Sequence, residues 1–150
     1  MPARTVLLVR HAHAQSPGFT GTDYDRPLTP GGEQQAALAA AAMRAAGHVP
    51  ALILASPARR TLQTAQIMAR ELAVPASAVQ VVESLYNAPA DTLAAELHRA
   101  TARTTGLVAI VAHNPGISEL ARELAPGATS FAPAHWRLVN LRQPSGDAAT

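Results

Sequence analysis

The chain has 150 residues and no cysteine, and its formal net charge of +2 comes with twelve arginines and no lysine. This length fits one compact domain, residues 1–150, of which we expect only a polar tail at about 143–150 to fray. The missing cysteine excludes disulfides, thiolate metal sites and a thiol nucleophile. Scattered arginines argue against a nucleic-acid partner, and the apolar runs are too short for a membrane span. We therefore expect a monomeric cytoplasmic protein.

Five short apolar runs predict the strands of a sheet. Branched residues dominate the first four, which is typical of strands buried on both faces of a parallel sheet. In chain order the runs are Val6–Val9, Leu52–Leu54, Val79–Val82, Leu107–Val111 and Trp136–Leu141.

Four helical stretches separate these strands. Before three of them a Ser, Thr or Asn precedes a proline, which predicts the polar residue as N-cap and the proline as first helical residue. These pairs are Thr29-Pro30, Ser56-Pro57 and Asn114-Pro115. Strands and helices that alternate through one short chain predict an α/β sandwich around a mainly parallel sheet. The predicted helices are Glu33–Ala46, Ala58–Leu72, Asp91–Arg103 and Gly116–Leu124.

Polar side chains follow the predicted strands, and in parallel α/β sheets ligands bind beyond those carboxyl ends. Two of the ends continue into a helix N-terminus, where free N–H groups attract anions, and the planar arginine fork matches phosphate oxygens. A histidine among them is available as a nucleophile toward phosphorus. The candidates are Arg10 with His11, residues 56–60, Glu83, and His113 with Asn114.

Three motifs at the predicted strand ends resemble the histidine phosphatase superfamily, also called the phosphoglycerate mutase-like fold. They are LLVRHAHA near the N-terminus, SPARRTLQTA after the second strand and VAHNPGISEL after the fourth. They stand in the family's order, and the resemblance covers essentially the whole chain. It implies a three-layer α/β sandwich with helices on both faces of the sheet.

The resemblance implies a role for each matching residue. His11, in the family's Arg-His-Gly motif, would be the nucleophile that takes up the phosphoryl group, although Ala12 replaces the usual glycine. Arg10, Arg60 and a protonated His113 would hold the phosphoryl oxygens, and Asn114 would help to bind the substrate. A phosphohistidine intermediate would form and then be hydrolysed by water, without a metal ion or a cofactor.

The short chain and the stretch TDYDRPLTPGGEQQA resemble the SixA type of phosphohistidine phosphatase within this family. On that match, Asp23 and Arg26 would lie at the rim of the pocket and bind the substrate. The implied partner is a phosphorylated protein that carries phosphohistidine.

The proton donor for a leaving group is the weakest part of the pattern. Glu83 is the nearest candidate, but its match to the family's acid is poor. A departing imidazole, with a reference pKa of about 6.5, needs a donor far less than an alkoxide does. This favours hydrolysis of a P–N bond.

Two alternatives stay open: a phosphomonoesterase that acts on a small phosphorylated metabolite, and a phosphate-binding module without turnover. A metal site built on His11 and His13 lacks a convincing third ligand. Arg59 points about 100° away from Arg60 on a helix, which predicts a solvated side chain. His135 is a residue that could reach the mouth of the pocket.

Overall fold

The computed structural model describes residues 4–16, 18 and 21–142, so the predicted tail at 143–150 lies outside the described residues. Five strands and four α-helices alternate along the chain, as the sequence predicts. The strands are β1 (Arg4–Arg10), β2 (Leu52–Ala55), β3 (Val79–Val81), β4 (Val108–Ala112) and β5 (Trp136–Leu141). The helices are α1 (Pro30–Ala45), α2 (Arg59–Glu71), α3 (Ala90–Thr101) and α4 (Gly116–Leu124).

The strands form one sheet in the order β3-β2-β4-β1-β5. The first four are mutually parallel, and β5 runs antiparallel to β1 along the sheet edge. The chain therefore leaves β1, builds β2 and β3 on one side, and returns to insert β4 beside β1. Because strand order reverses between β1 and β4, their carboxyl ends form the edge at which α/β sheets bind ligands.

Alternate residues of each strand enter two different cores, as the period of two in a pleated strand requires. Leu7 and Val9 of β1 face α1 and α2, where they contact residues such as Met43 and Met68. Val6 and Leu8 face α3 and α4 on the other side of the sheet. The result is the predicted α/β sandwich of three layers with a mainly parallel sheet.

The predicted N-caps are correct for only one of three helices. Thr29 caps α1 through its side chain, which accepts from the N–H of Gly32, and Pro30 is the first helical residue. The predictions for Ser56 and Asn114 are wrong, because Ala58 and Pro115 occupy the N-caps of α2 and α4. The hydroxyl of Ser56 and the amide of Asn114 instead make hydrogen bonds that shape the edge of the sheet.

Two glycines allow the loops at this edge to approach a helix closely. A Cβ on Gly32 of α1 would lie 2.0 Å from the carbonyl oxygen of His13, and one on Gly116 of α4 would lie 2.0 Å from that of Ala88. Any side chain at either position would push the loop away from the strand ends. No helix among the described residues has both the length and the apolar character needed to cross a membrane.

Candidate active site

The carboxyl ends of three neighbouring strands meet at one edge of the sheet. Arg10 at the end of β1 pairs with Ala112 at the end of β4, so the next residues, His11 and His113, lie side by side. Their ring centroids are 5.5 Å apart. The end of β2 lies on the other side of β4, where the hydroxyl of Ser56 contacts the ring of His113. The register of the sheet thus brings the two predicted histidines together.

A cavity of about 580 Å³ opens over these strand ends. We call the buried residues His11, Arg60 and His113, at the strand ends and the start of α2, the floor of the cavity. We call Asp23 and Arg26, in the loop between β1 and α1, its rim. Of the eight residues that the sequence singles out, all except Glu83 line the cavity. Those seven are Arg10, His11, Asp23, Arg26, Arg60, His113 and Asn114, and the lining also includes His13, Ala14, Ser16, Asn87 and Pro133.

His11 is held as a neutral imidazole with one nitrogen free. Its Nδ1 lies 2.7 Å from the carbonyl oxygen of Ala12, and since a carbonyl only accepts, Nδ1 carries the proton. The lone pair is therefore on Nε2. Burial, together with the nearby Arg60, Arg10 and Arg26, lowers the pKa of His11 to about 4, against the hydrogen bond to Ala12, which raises it. A neutral ring with a free Nε2 is the form that attacks phosphorus.

His113 is 2% exposed and is fixed by two hydrogen bonds. Nη2 of Arg60 lies 3.1 Å from its Nδ1, which must accept because a guanidinium only donates. Nε2 therefore carries the proton and donates to the hydroxyl of Ser56 at 2.8 Å. Burial, together with Arg60 and His11, lowers the pKa of His113 to about 3. In this arrangement His113 is therefore a neutral ring, because burial and the neighbouring guanidinium disfavour a second proton; a protonated His113 beside a phosphoryl group stays a prediction.

Two arginines present buried donors at the cavity. Arg60, the second residue of α2, is 3% exposed, and Arg10 donates through Nη1 to the carbonyl of Phe131 at 2.9 Å. The Nε atoms of both arginines are buried and find no hydrogen-bond partner within the part of the chain that the structure describes. Leaving a buried donor unpaired costs about 1–3 kcal/mol, so an anion whose oxygens reach these atoms is favoured.

Asp23 and Arg26 lie at the rim, where they form an ion pair of 3.1 Å. The carboxylate of Asp23 also accepts from Nη2 of Arg60 at 3.2 Å and from the hydroxyl of Tyr86 at 2.5 Å. The hydrogen bond from Tyr86 is the largest cause that lowers the pKa of Asp23, and Arg60 and Arg26 lower it further. Asp23 is therefore an ionised carboxylate at neutral pH.

Glu83, the nearest candidate for the proton donor, does not line the cavity, so the structure does not support that role. It is exposed, and it begins a 3-10 helix (Glu83–Leu85) that follows β3. Because β3 is the edge strand, two strand spacings, about 10 Å in all, separate it from β4. The sequence places Glu83 at a strand end correctly but does not reveal that this strand lies at the far edge of the sheet.

Other residues with predicted positions divide between the rim and the surface. His13 is exposed and lines the cavity, with its Nδ1 3.1 Å from the hydroxyl of Thr29. Arg59 is exposed and outside the lining, as predicted. His135 is also outside the lining, and its ring stacks on Phe131 at 4.5 Å. Within the described ranges, no group of three or more His, Cys, Asp or Glu side chains could hold a metal ion.

The segment after Glu83 contributes two residues that the sequence reasoning missed. The hydroxyl of Tyr86 reaches Asp23, and its ring lies 5.7 Å from that of His113. Asn87 lines the cavity with its Oδ1 3.5 Å from Nη2 of Arg60, and its φ is 49°. Asparagine tolerates this left-handed conformation better than most residues, so the sequence Asn-Ala-Pro is a turn signal that could have drawn attention to Asn87.

Ala12, which stands where the family motif usually has glycine, fits its position. It is fully buried and packs with Leu28, Ala36 and Ile67. The described non-glycine residues with positive φ do not include it, so its methyl group causes no backbone strain. Its N–H donates to the hydroxyl of Thr64 at 3.0 Å, which ties the His11 loop to α2.

Comparison with known sequences gives one family and several relatives. The family model of the histidine phosphatase superfamily (branch 1) matches residues 6–88. An uncharacterized protein of Mycobacterium tuberculosis strain H37Rv is 36% identical over 119 residues, which cover 78% of this chain and 70% of that protein. An uncharacterized chloroplastic protein of Arabidopsis thaliana is 41% identical over 66 residues, which cover 44% of this chain and 30% of that longer protein.

Solved structures with the same fold include two SixA proteins. The SixA protein from Agrobacterium tumefaciens is 26% identical, with a TM-score of 0.78, and the match covers 93% of this chain and 92% of that one. The protein histidine phosphatase SixA in complex with tungstate is also 26% identical, with a TM-score of 0.78, and the match covers 89% of this chain and 86% of that one.

Proposed function

This chain belongs to the histidine phosphatase superfamily and is of the SixA type, and we propose that it hydrolyses phosphohistidine on a protein with His11 as nucleophile. The family and the similar structures support a phosphatase activity. The choice of phosphohistidine rests on the chemistry of the cavity.

In the first step, Nε2 of His11 attacks phosphorus as the bond from phosphorus to the substrate nitrogen breaks. The lone pair of Nε2 is free because Nδ1 donates to the carbonyl of Ala12, which also fixes the ring. In the second step, water attacks the phosphohistidine on His11 and releases inorganic phosphate. The proposed reaction needs no metal ion, because the charge of the phosphoryl oxygens is balanced by arginines.

The buried arginines supply this balance. Arg10 and Arg60 both line the cavity, so their guanidinium groups are placed to donate to phosphoryl oxygens. His113, protonated on Nε2 alone, donates to Ser56 and accepts from Arg60, so it orients the Arg60 guanidinium rather than adding a positive charge. Since these donors are fixed before the substrate arrives, little reorganisation accompanies the transfer.

The proposal that phosphohistidine is the substrate rests on the ionisation of the carboxylate that lines the cavity. Among the lining residues that the structure describes, Asp23 is the one carboxylate, and its pKa is lowered rather than raised. An alkoxide leaving group needs a protonated acid, which a carboxylate with a lowered pKa does not provide at neutral pH. An imidazole leaving group, whose protonated form has a reference pKa of about 6.5, can carry the proton on its own second nitrogen and so departs without an acid from the enzyme.

The proposal is tested by phosphate release in excess EDTA from a histidine-phosphorylated protein and from a panel of sugar and glycerate phosphates. We expect a kcat/KM at least about a hundredfold higher for the phosphohistidine protein, because only its leaving group needs no acid. A preference for an ester would instead identify a phosphomonoesterase. Loss of activity in EDTA would contradict the metal-independent reaction, and binding of phosphate without turnover would identify a binding module.

A further inference from the structure

The rim of the cavity carries its negative charge where the leaving group of a substrate must lie. We propose that Asp23 recognises the protonated imidazole of the phosphohistidine substrate and so makes that ring a better leaving group. This inference rests on the proposed function, because it assigns the recognition of the leaving group at the same site.

Asp23 lies nearer to the mouth of the cavity than His11 does, which places it on the side of the leaving group. His11 lies on the floor of the cavity and is 8% exposed, whereas the side chain of Asp23 is 49% exposed at the rim. In-line attack from the floor places the departing group on the opposite side of phosphorus, toward the rim. The imidazole of the substrate therefore leaves past Asp23.

The carboxylate of Asp23 is fixed and still has capacity to accept. Arg26, Arg60 and Tyr86 donate three hydrogen bonds to it, which lock its orientation. A carboxylate offers about four lone-pair sites, so about one remains for a ligand N–H. The half-exposed side chain presents this site to an incoming ring.

The proton on the substrate ring decides how easily the P–N bond breaks. When the distal ring nitrogen is protonated, the electron pair of the P–N bond passes to the other ring nitrogen, and the ring leaves as neutral imidazole. Phosphorus becomes bonded to Nε2 of His11, and no proton moves in this step. Without that proton the ring would leave as an anion, which is far less favourable. A carboxylate beside the ring stabilises the protonated form.

Other charged and titratable groups around the cavity act against this effect. Arg60 and Arg26 face Asp23 directly, and the hydroxyl of Tyr86 donates to it while the pKa of Tyr86 is raised by that same hydrogen bond. The surrounding cations disfavour a protonated substrate ring. Among the described lining residues, the carboxylate of Asp23 is the one group that favours it. The remaining titratable groups of the lining are Arg10, His11, His13 and His113.

The test compares Asp23→Asn with the control Asp25→Asn on two substrates. Asp25 ends the short 3-10 helix Asp23–Asp25 that Asp23 begins, accepts from Thr22 and does not line the cavity. The substrates are a histidine-phosphorylated protein and 4-nitrophenyl phosphate, which has no ring nitrogen. We expect Asp23→Asn to reduce kcat/KM for phosphohistidine at least about tenfold more than for the nitrophenyl ester, and to move the alkaline limb of the phosphohistidine profile about one pH unit lower. Asp25→Asn should match the wild type.

An equal loss on both substrates, or an alkaline limb that stays in place, would show that Asp23 merely positions Arg60 and would overturn the inference. If the wild type hydrolyses phosphohistidine well, that failure concerns the role of Asp23 alone. If the wild type hydrolyses only esters, the proposed function itself fails, and the inference fails with it.

Discussion

The floor and the rim of the cavity are built in different ways. The floor residues His11, Arg60 and His113 are 8%, 3% and 2% exposed, and they extend from strand ends and the start of a helix. The rim residues Asp23 and Arg26 come from a loop, pair with each other and remain in contact with solvent. Rigid elements thus hold the groups assigned to phosphoryl transfer, and the loop holds those assigned to the choice of substrate. The predictions below test this division, beginning with the largest effect.

Replacement of His11, the proposed nucleophile on the floor, should have the largest effect. We expect His11→Ala to reduce kcat on a histidine-phosphorylated protein by more than about a thousandfold, because no other described residue supplies its Nε2. Circular dichroism should show an unchanged fold. The matched control is His13→Ala at the rim, which should lose less than about tenfold. Comparable losses in both variants would break the division between floor and rim.

Removal of an arginine from the floor should have the next largest effect. We expect Arg60→Ala to reduce kcat by about a hundredfold to a thousandfold, since it removes fixed donors from the charged phosphoryl oxygens. Arg59→Ala provides the control, because the neighbouring side chain is exposed and outside the cavity. If the two variants had the same activity, the burial of Arg60 would serve the fold rather than the reaction.

The buried histidines of the floor should make stability depend on pH. In the unfolded chain both titrate near the reference pKa of about 6.5, whereas burial lowers the folded pKa of His11 to about 4 and that of His113 to about 3. Between these values the unfolded state binds more protons, so the free energy of unfolding falls as the pH falls.

The expected slope is up to about 1.4 kcal/mol per pH unit for each buried histidine. Urea unfolding between pH 7 and pH 4.5 measures it. His11→Ala should reduce the slope, and His13→Ala, at an exposed position, should leave it as in the wild type. The same slope in wild type and His11→Ala would contradict the burial of a neutral His11.

Loss of a hydrogen bond at the rim should have the smallest effect. Tyr86→Phe removes the hydroxyl that donates to Asp23, which raises the pKa of that carboxyl and loosens its orientation. We expect a reduction of kcat/KM on phosphohistidine of about twofold to tenfold, the range of one hydrogen bond. Steady-state rates at pH 7 measure it. The control is Tyr24→Phe, because the ring of Tyr24 lies 5.4 Å from that of Tyr86 but does not line the cavity. A loss as large as that of Arg60→Ala would place Tyr86 with the floor.

The floor could be predicted from the sequence because local patterns determine it. Short branched runs predict the strands to within about two residues, and His11 and His113 follow two of those runs directly. Arg60 lies in the first turn of the next helix. The strand order was beyond the local pattern, however, since it depends on contacts between residues far apart in the chain. For that reason the sequence does not reveal that Glu83, although it follows a strand, lies away from the cavity.

The rim depended on the family resemblance and on contacts that no local pattern encodes. Asp23 and Arg26 were expected from the SixA-type motif alone, and the structure places both at the cavity. Tyr86 was missed because it follows the edge strand and returns across the cavity to Asp23. Ser56 was expected to cap a helix, but its hydroxyl accepts from His113 instead. For Tyr86 and for Ser56, a hydrogen bond to a residue far away in the chain determines where the side chain lies.

The most direct test of the central claim is to trap the phosphorylated enzyme during turnover. The enzyme is mixed with a histidine-phosphorylated protein, quenched at alkaline pH to preserve phosphohistidine, and its peptides are sequenced by mass spectrometry. Because His11 and His13 share one peptide, fragmentation between them is needed to locate the phosphoryl group. We predict that the group is on His11 and disappears in His11→Ala. Label on His13, or turnover of the wild type without a labelled histidine, would contradict the account.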